Sequence, residues 1–301
     1  MDNLFSGLEK FGINLEDDDL KVFEEEKKPA QAAAAKGPVV HEEKEFILDK
    51  SLNCPLCGGE FKSKIIRAGK AKRLESDWDL RPRFKDFDGN KYGVTLCTNC
   101  GYTALDRYFK ALPVVKEKLI KEKISSTFKP EDFTKDSEIY DHDMSIARYK
   151  MALLNTIVKK GAVSERAYIC LKTAWVIRGK IEDLNSQKNK LDKAAADFAQ
   201  KAKEIDDKIK ECEKEENSFL ANAYEGFTKA VATESFPMCG MGEATVDYLI
   251  AVLAMKFKKY ATASKTIANI LQSKTAGKQI KEKAFDRKEE LVKMIHEDKN
   301  S

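Results

Sequence analysis

Hydrophobic and polar positions follow two different rhythms along the chain. Before residue 100, short segments rich in β-branched and aromatic residues lie next to glycines and predict strands; they are EFILDK (45–50), EFKSKIIRAGK (60–70) and NKYGVTLC (90–97). Beyond about residue 110, apolar positions recur every three to four residues almost to the end, which predicts helices. The pattern therefore predicts an α+β chain that is mostly α.

The first 44 residues differ from the rest. Four apolar residues lie on one side of a short predicted helix: Leu4, Phe5, Leu8 and Phe11. An acidic stretch (16–28) and a low-complexity stretch, PAQAAAAKGPVV (29–40), follow it. We interpret residues 1–44 as a largely disordered acidic tail. Alternatively, the short helix docks into a groove on its own chain or on a partner.

The helical part contains a weak internal repeat. AYICLKTA (167–174), AYEGFTKA (223–230) and ASKTIANI (263–270) share one spacing of small and large residues. Tetratricopeptide (TPR) repeats use such spacing, because a small residue lets two antiparallel helices approach each other. The matching positions are Ile250, Ala251, Ala254, Tyr260, Ala263 and Ile267, whereas Asp247 and Ile270 depart from the pattern. We expect helical hairpins in a TPR-like array over residues 111–301.

In one stretch, mostly apolar positions are spaced alternately three and four residues apart over about five heptads. Its positions are Ile181, Leu184, Lys188, Leu191, Ala195, Phe198, Ala202, Ile205, Ile209, Cys212 and Glu216. This seam predicts a long helix over about residues 181–232. The helix either packs on its own bundle or forms a homodimer through residues 181–216, and the charged Lys188 and Glu216 argue against the homodimer.

Composition narrows the class of protein. The 301 residues are 42% hydrophobic and 35% charged, with a net charge of +4, which is typical of a soluble, helix-rich protein. No uncharged run approaches the about 18 residues of a spanning helix, and the acidic start lacks the apolar core of a signal peptide. Seven cysteines, four of them in Cys-x-x-Cys pairs, suit a reducing compartment. We expect a cytoplasmic protein without a membrane span.

Two Cys-x-x-Cys pairs indicate metal chemistry. CPLC (54–57) and CTNC (97–100) have 39 residues between them, and a glycine follows each pair. Zinc prefers four thiolates in a tetrahedron, and each such turn presents two sulfurs to one metal. A redox dithiol would instead need a cysteine of low pKa at a helix N-terminus, and no such helix is predicted here. We predict one structural Zn²⁺ in a zinc ribbon over residues 45–110, bound by Cys54, Cys57, Cys97 and Cys100.

The loop between the pairs interleaves cations with aromatic residues. Such a pattern suits single-stranded nucleic acid, which stacks on aromatics and pairs its phosphates with cations. The candidate contacts are Arg67, Lys72, Arg73, Trp78, Arg81, Arg83 and Phe84. Four aspartates alternate with them and favour salt bridges within the loop instead: Asp77, Asp79, Asp86 and Asp88.

The remaining reactive side chains predict no catalytic residues. Asp141 or Asp143 is expected to cap the helix that begins near Met144. Cys239 precedes a predicted helix whose dipole would lower its pKa, but we interpret it as an ordinary loop thiol. We interpret Cys170 and Cys212 as small core residues. The sequence contains no phosphate loop and no nucleophile elbow, and it therefore leans against an enzyme.

Four segments together resemble a known family: NCPLCGGEF, YGVTLCTNCGY, LKTAWVIRGK and YLIAVLAMKFKKYATA. They are similar to the bacterial domain of unknown function 2225, over about residues 45–290. The matching positions are Cys54, Cys57, Cys97, Cys100, Gly101, Tyr102, Leu171, Ala174, Trp175, Arg178, Tyr248 and Leu249. Phe257-Lys258 departs from the family pattern, and the stretch from 181 to 215 looks longer and more charged. The resemblance implies a cytoplasmic zinc-ribbon protein with TPR-like helices, and it implies no activity.

These features predict a zinc-binding adaptor or scaffold module with a protein or peptide partner on its helical array. The alternative is a nucleic-acid-binding protein that uses the ribbon loop.

Overall fold

The computed structural model describes residues 41–130 and 137–300, with side chains to Asp298. Over this part of the chain the fold is α+β and mostly α, as predicted, because strand hairpins come first and helices follow. The short helix predicted at Leu4 to Phe11 lies outside the described residues. None of the described helices combines the length and apolar character needed to cross a membrane. The predicted division into two domains near residue 110 stays a prediction.

Within residues 41–130, three antiparallel hairpins of two strands each precede the helices. Their strands are β1 (Ile47–Asn53), β2 (Glu60–Ile66), β3 (Arg73–Leu74), β4 (Arg83–Phe84), β5 (Val94–Leu96) and β6 (Thr103–Leu105). Asn53 pairs with Glu60 at the closed end of the first hairpin, and Leu96 pairs with Thr103 at the closed end of the third. The stretches 54–59 and 97–102 are therefore hairpin turns. We call β1, β2, β5 and β6 with these two turns the ribbon.

The third hairpin attaches the ribbon to the helices. Every residue of β5 and β6 is buried, and Val94 and Leu105 share a core cluster with Tyr149 and Ile177 of the helical part. β3 and β4 lie in the insertion between the two halves of the ribbon. The ribbon thus has one hairpin within the core and one closer to the surface.

Seven α-helices follow in the described residues. They are α1 (Val114–Ile120), α2 (His142–Val158), α3 (Val163–Asn189), α4 (Phe198–Thr233), α5 (Glu243–Lys256), α6 (Tyr260–Gln272) and α7 (Lys278–Asn300). Asp141 accepts a hydrogen bond of 2.7 Å from the backbone N–H of Met144, so it caps α2 as expected.

The prediction of one long helix over about residues 181–232 is wrong. α3 ends at Asn189, and the chain turns back before α4 begins at Phe198. Asp192 accepts a hydrogen bond from the Ala194 N–H in this turn, which offers the backbone an alternative to the helix. The halves of the predicted seam then bury each other, so that Leu184 packs in one cluster with Ile209 and Cys212.

The two charged seam residues have partners within the chain. Lys188 donates to both carboxylate oxygens of Asp206, at 2.6 and 2.7 Å. Glu216 accepts a hydrogen bond of 2.8 Å from Arg178 Nε. The heptad pattern therefore describes an intrachain helical hairpin, and a homodimer through this segment stays a prediction.

Small residues set the contacts between helices. A Cβ atom on Gly226 of α4 would lie 2.7 Å from the Cβ of Ala167 on α3, so this close approach requires glycine. In the last helices, Ala251, Ala254 and Ala263 pack in one buried cluster with Ile267. The small-residue spacing of the sequence therefore marks real helix–helix contacts.

Candidate metal centre

The two cysteine turns have the same backbone geometry. In the first, the Gly58 N–H donates to the Cys54 carbonyl at 2.8 Å, and the Cys54 N–H donates to the Gly59 carbonyl at 2.9 Å. In the second, the corresponding bonds join Gly101 to Cys97 and Cys97 to Tyr102, each at 2.9 Å. Each turn therefore holds its two cysteines on the same side of a tight bend.

The glycine after each pair is required by the backbone. Gly58 and Gly101 have φ angles of +73° and +74°, in the left-handed region that favours glycine. At Gly101 a side chain is also excluded by space, because a Cβ atom would lie 2.6 Å from the ring of Phe128. The glycines noted in the sequence thus close the two turns.

The turns bring all four sulfurs together, as their spacing predicted. The four Sγ atoms lie within 4.8 Å of one another. Cys54 and Cys100 are 3.7 Å apart, and Cys57 and Cys97 are 3.8 Å apart. A tetrahedral ion with metal–sulfur bonds of about 2.3 Å has sulfur–sulfur edges of about 3.8 Å. The four cysteines therefore fit one tetrahedral metal ion.

The clustered thiols cannot all ionise without a cation. Hydrogen bonds from Cys100 and Cys97 lower the pKa of Cys54, and its thiolate then raises the pKa of Cys100. Backbone N–H groups also favour the Cys54 thiolate, since the Leu56 N–H lies 3.4 Å from its sulfur. One negative charge thus forms readily in this cluster, and a bound metal cation would permit the others.

The rest of the protein covers most of this cluster. Cys54, Cys97 and Cys100 are buried, and Cys57 is exposed. The apolar cover comes from both sides of the fold: Leu56, Phe61, Tyr102, Ile120 and Ile124. Asn155 of α2 donates to the Gly101 carbonyl at 3.1 Å and ties the second turn to the helices. A four-sulfur shell under such cover leaves no open position for a substrate, which is typical of a structural site.

The other cysteines lie apart from this centre and are buried. Burial raises the pKa of Cys170 to about 12 and also raises the pKa of Cys239. Cys170 and Cys212 belong to core clusters, as expected. The high pKa of each thiol disfavours its reactive thiolate form.

Two of the candidate nucleic-acid contacts are held by carboxylates. The Arg81 side chain is only 2% exposed and contacts Glu182 at 2.8 Å and Asp88 at 3.2 Å. Arg83 contacts Asp77 at 2.5 Å and Glu182 at 2.7 Å. Asp77 and Asp88 of the loop therefore pair with its arginines, and α3 adds the carboxylate of Glu182.

The remaining candidates divide into packed aromatics and exposed cations. Trp78 packs against the main core cluster, and Phe84 lies 5.4 Å from the ring of Phe87. Arg67, Lys72 and Arg73 are exposed, and none of them forms an ion pair within the described part of the chain. The structure thus leaves the cations accessible and covers most of the aromatic surface.

A buried ion cluster on α3 was not predicted from the sequence. Asp79 is fully buried and accepts hydrogen bonds from Trp175 Nε1 at 3.0 Å and from Arg178 Nη2 at 2.8 Å. Arg178 also donates to Glu216 and lies over the Trp78 ring, 5.2 Å from its centroid. We call Asp79, Trp175, Arg178 and Glu216 the Asp79 cluster. It holds the inserted loop against α3 and α4.

The sequence carried one signal for this cluster. Trp175 and Arg178 are three residues apart and so lie on one helix face, and both are positions that match the family pattern. A buried face that presents an indole N–H and a guanidinium requires an acceptor. Only the folded chain shows that the acceptor is Asp79, because nearly 100 residues separate it from them.

The molecule has a family match over most of its length. Residues 47–291 match the family described as uncharacterized protein conserved in bacteria (DUF2225). This span contains both cysteine turns, the inserted loop and the helices as far as α7. Comparisons with curated proteins and with solved structures found no match. The match confirms the resemblance drawn from the cysteine pairs and the Ala-Trp-x-x-Arg segment, and the chain belongs to this bacterial family.

Proposed function

We propose that the protein is a zinc-stabilised protein-interaction module. Cys54, Cys57, Cys97 and Cys100 hold the ion, for which four thiolates at tetrahedral spacing are the preferred ligands. The ion fixes the two ribbon hairpins, and β5–β6 connects them to the helical core. Zinc has a structural role in this proposal, and the recognition surface lies on the helices.

The proposed interaction role rests on an apolar groove along α3 and α4. It has a volume of about 580 Å³ and polar residues at its rim. Its apolar lining comes from α2, α3 and α4: Leu153, Ile157, Val163, Ala167, Cys170 and Phe219. Ile157 is 49% exposed although it is a large apolar residue. Such a groove suits an inserted apolar side chain of a protein segment.

The rim indicates the chemistry of the partner. Lys229 is paired with Glu225 at 2.5 Å, whereas Arg166 forms no ion pair among the described residues and donates to the Gly161 carbonyl. Arg166 Nε is buried and has no hydrogen-bond partner. A carboxylate next to the inserted side chain would satisfy this guanidinium. The proposed ligand is a peptide segment with a large apolar residue next to Asp or Glu.

We also propose that the last helices form a TPR-like array. α5, α6 and α7 are joined by short connections, and Ala251, Ala254 and Ala263 permit their close packing. Arrays of such hairpins present grooves between successive helices to peptide partners. A cytoplasmic location is consistent with the reduced state of the seven cysteines.

Arg166→Glu is expected to abolish selection of acidic peptides by the groove. A phage-displayed peptide library panned on the full chain should enrich a large apolar residue next to Asp or Glu. Because a reversed charge places like charges in contact, the variant should bind the enriched peptides at least about tenfold more weakly. The substitution keeps α3 stable, since an acidic residue suits the first turn of a helix.

Lys214→Glu is the matched control, because it makes the same charge change at an exposed position of α4 outside the groove. Lys214→Glu should enrich the same peptides as the unmodified chain. If all three proteins selected the same sequences, or if the unmodified chain selected none, this groove would not be the recognition surface.

A second candidate function rests on the exposed cations of the inserted loop. Lys72, Arg73 and Lys85 lie at the β3–β4 hairpin, where the Lys85 N–H donates to the Lys72 carbonyl. All three are exposed, and they have no carboxylate within ion-pair distance in the described chain. Nucleic-acid phosphates would pair with such an edge without base stacking.

Lys72→Ala/Arg73→Ala tests this candidate with a fluorescent single-stranded oligonucleotide. Binding should weaken as salt rises, and the slope of log K against log salt should fall by about 1.4 when two phosphate contacts are lost. Lys210→Ala/Lys214→Ala removes the same charge from α4 and should leave the slope unchanged. Equal effects of both double variants would show that only net charge matters.

A further inference from the structure

The last helix exposes a stripe that contains both apolar and charged residues. Phe285 and Val292 of α7 are 52% and 49% exposed, among the most exposed large apolar side chains of the described chain. Lys288 and Glu289 lie between them, at the three- and four-residue spacing that places all four on one helix face. Both charged side chains are exposed, and neither forms an ion pair with a described residue.

This stripe is complementary to itself. Two copies of α7 can pack antiparallel about a two-fold axis that passes between residues 288 and 289. Phe285 of each copy then contacts Val292 of the other, and Lys288 of each copy contacts Glu289 of the other. A two-fold interface requires such reciprocal pairing of one surface with itself. The order apolar, positive, negative, apolar along α7 meets this requirement.

An apolar groove beside the stripe extends the surface. The groove lies between α6 and α7 and has a volume of about 310 Å³. Its lining includes Ile267, Leu271, Leu291 and Ile295 together with Val292 of the stripe. The exposed α6 residues that line the groove are the small Ser264 and Ala268 and, at the end of the helix, Gln272. A second helix can therefore approach both the groove and the stripe.

We propose that the protein forms a homodimer through antiparallel contact of its α7 helices, so the occupant of this surface is a second copy of the chain. This interface differs from the one predicted over residues 181–216, where the charged seam residues pair within one chain. It is also independent of the groove along α3 and α4, since the two share no lining residue. A pair of single helices buries less than the about 1,200 Å² of a standard interface, so the dimer is weak.

Charge exchange on the full-length chain tests the pairing directly. Sedimentation equilibrium over micromolar to millimolar concentrations should show a monomer–dimer equilibrium. Lys288→Glu or Glu289→Lys alone places two like-charged contacts in the interface and should raise the dissociation constant by about tenfold or more. The double variant Lys288→Glu/Glu289→Lys restores opposite charges and should return the constant to within about threefold of its original value.

The apolar contacts have their own variants and control. Phe285→Ser and Val292→Ser should each weaken the dimer, whereas Val231→Ser, at an exposed apolar position of α4, should not. All these side chains are exposed, so far-UV circular dichroism should stay unchanged. A monomer at every concentration would overturn the proposal. The proposal would also be overturned if the α7 substitutions left the dissociation constant of the dimer unchanged. The same holds if the double variant dimerised as weakly as the single variants.

Discussion

Cys97→Ser is expected to lose the zinc ion that we propose for the four-cysteine cluster and to unfold the two ribbon hairpins, while the far-UV signal of the helices is largely retained. Cys97 is fully buried, and its sulfur is 3.8 Å from that of Cys57. Serine replaces a thiolate ligand by a weak hydroxyl and leaves the ion three sulfurs. Structural zinc binding contributes about 10–16 kcal/mol to the folding of small zinc domains, so its loss outweighs any packing change at this site.

Metal analysis by mass spectrometry and thermal unfolding measure this effect. The unmodified protein should contain one equivalent of zinc, and Cys97→Ser should contain almost none and should melt at a lower temperature. Cys170→Ser is the control, since Cys170 is also buried but lies in the helical core. It should keep a full equivalent of zinc. A full equivalent of zinc in Cys97→Ser would contradict the four-cysteine site.

The four-cysteine cluster was predictable because its geometry is local. Each Cys-x-x-Cys-Gly stretch closes its own turn, and the left-handed glycine is visible in the sequence as the residue after each pair. Only the meeting of the two turns, Cys54 with Cys100 and Cys57 with Cys97, required knowledge of two distant segments. Four thiols of one kind are a strong reason for the turns to meet. The strands on either side of each turn follow from the same local pattern.

The error over residues 181–232 has a physical reason. A heptad pattern reports which face of a helix is apolar, but it does not report whether the covering surface is another chain or the same chain turned back. The turn at 190–197 contains no proline or glycine. Its local signal was Asp192, whose side chain bonds to the backbone. Lys188 and Glu216 were the other indication of a turn. A charged residue in an apolar seam requires a partner, and both have one within the chain.

The inserted loop was only half predictable. Its alternating aspartates and arginines indicated salt bridges, and Arg83 does pair with Asp77. Arg81 likewise pairs with Asp88, but both arginines also pair with Glu182, which is 101 residues from Arg81 and on a different element. Long-range pairing of this kind leaves no periodicity in a single sequence. The sequence alone therefore does not distinguish the exposed Lys72 from the buried Arg81, and only the folded structure does.

Arg178→Ala is expected to destabilise the protein by about 3–5 kcal/mol, the usual effect of removing one partner from a buried ion pair. Burial alone would lower the pKa of Arg178, but its hydrogen bonds to Asp79 and Glu216 raise it, so the guanidinium stays charged. Without it, the fully buried Asp79 keeps the Trp175 indole as its side-chain donor, and Glu216 loses the bond to Arg178 Nε. Urea unfolding followed by circular dichroism measures the change.

Arg83→Ala is the matched control, because Arg83 also bonds two carboxylates of this region but is 37% exposed. Solvent screens the ion pairs of Arg83, so this variant should lower the free energy of unfolding by about 1 kcal/mol or less. Asp79→Asn should also destabilise the protein. The double variant Asp79→Asn/Arg178→Ala should lose less free energy of unfolding than the two single losses added together, since both residues belong to one network. Equal losses for Arg83→Ala and Arg178→Ala, or strict additivity of the pair, would show that the Asp79 cluster does not hold the inserted loop. The expected result would instead explain why tryptophan and arginine stand three residues apart on α3: together they bind the aspartate that attaches the ribbon insertion to the helices.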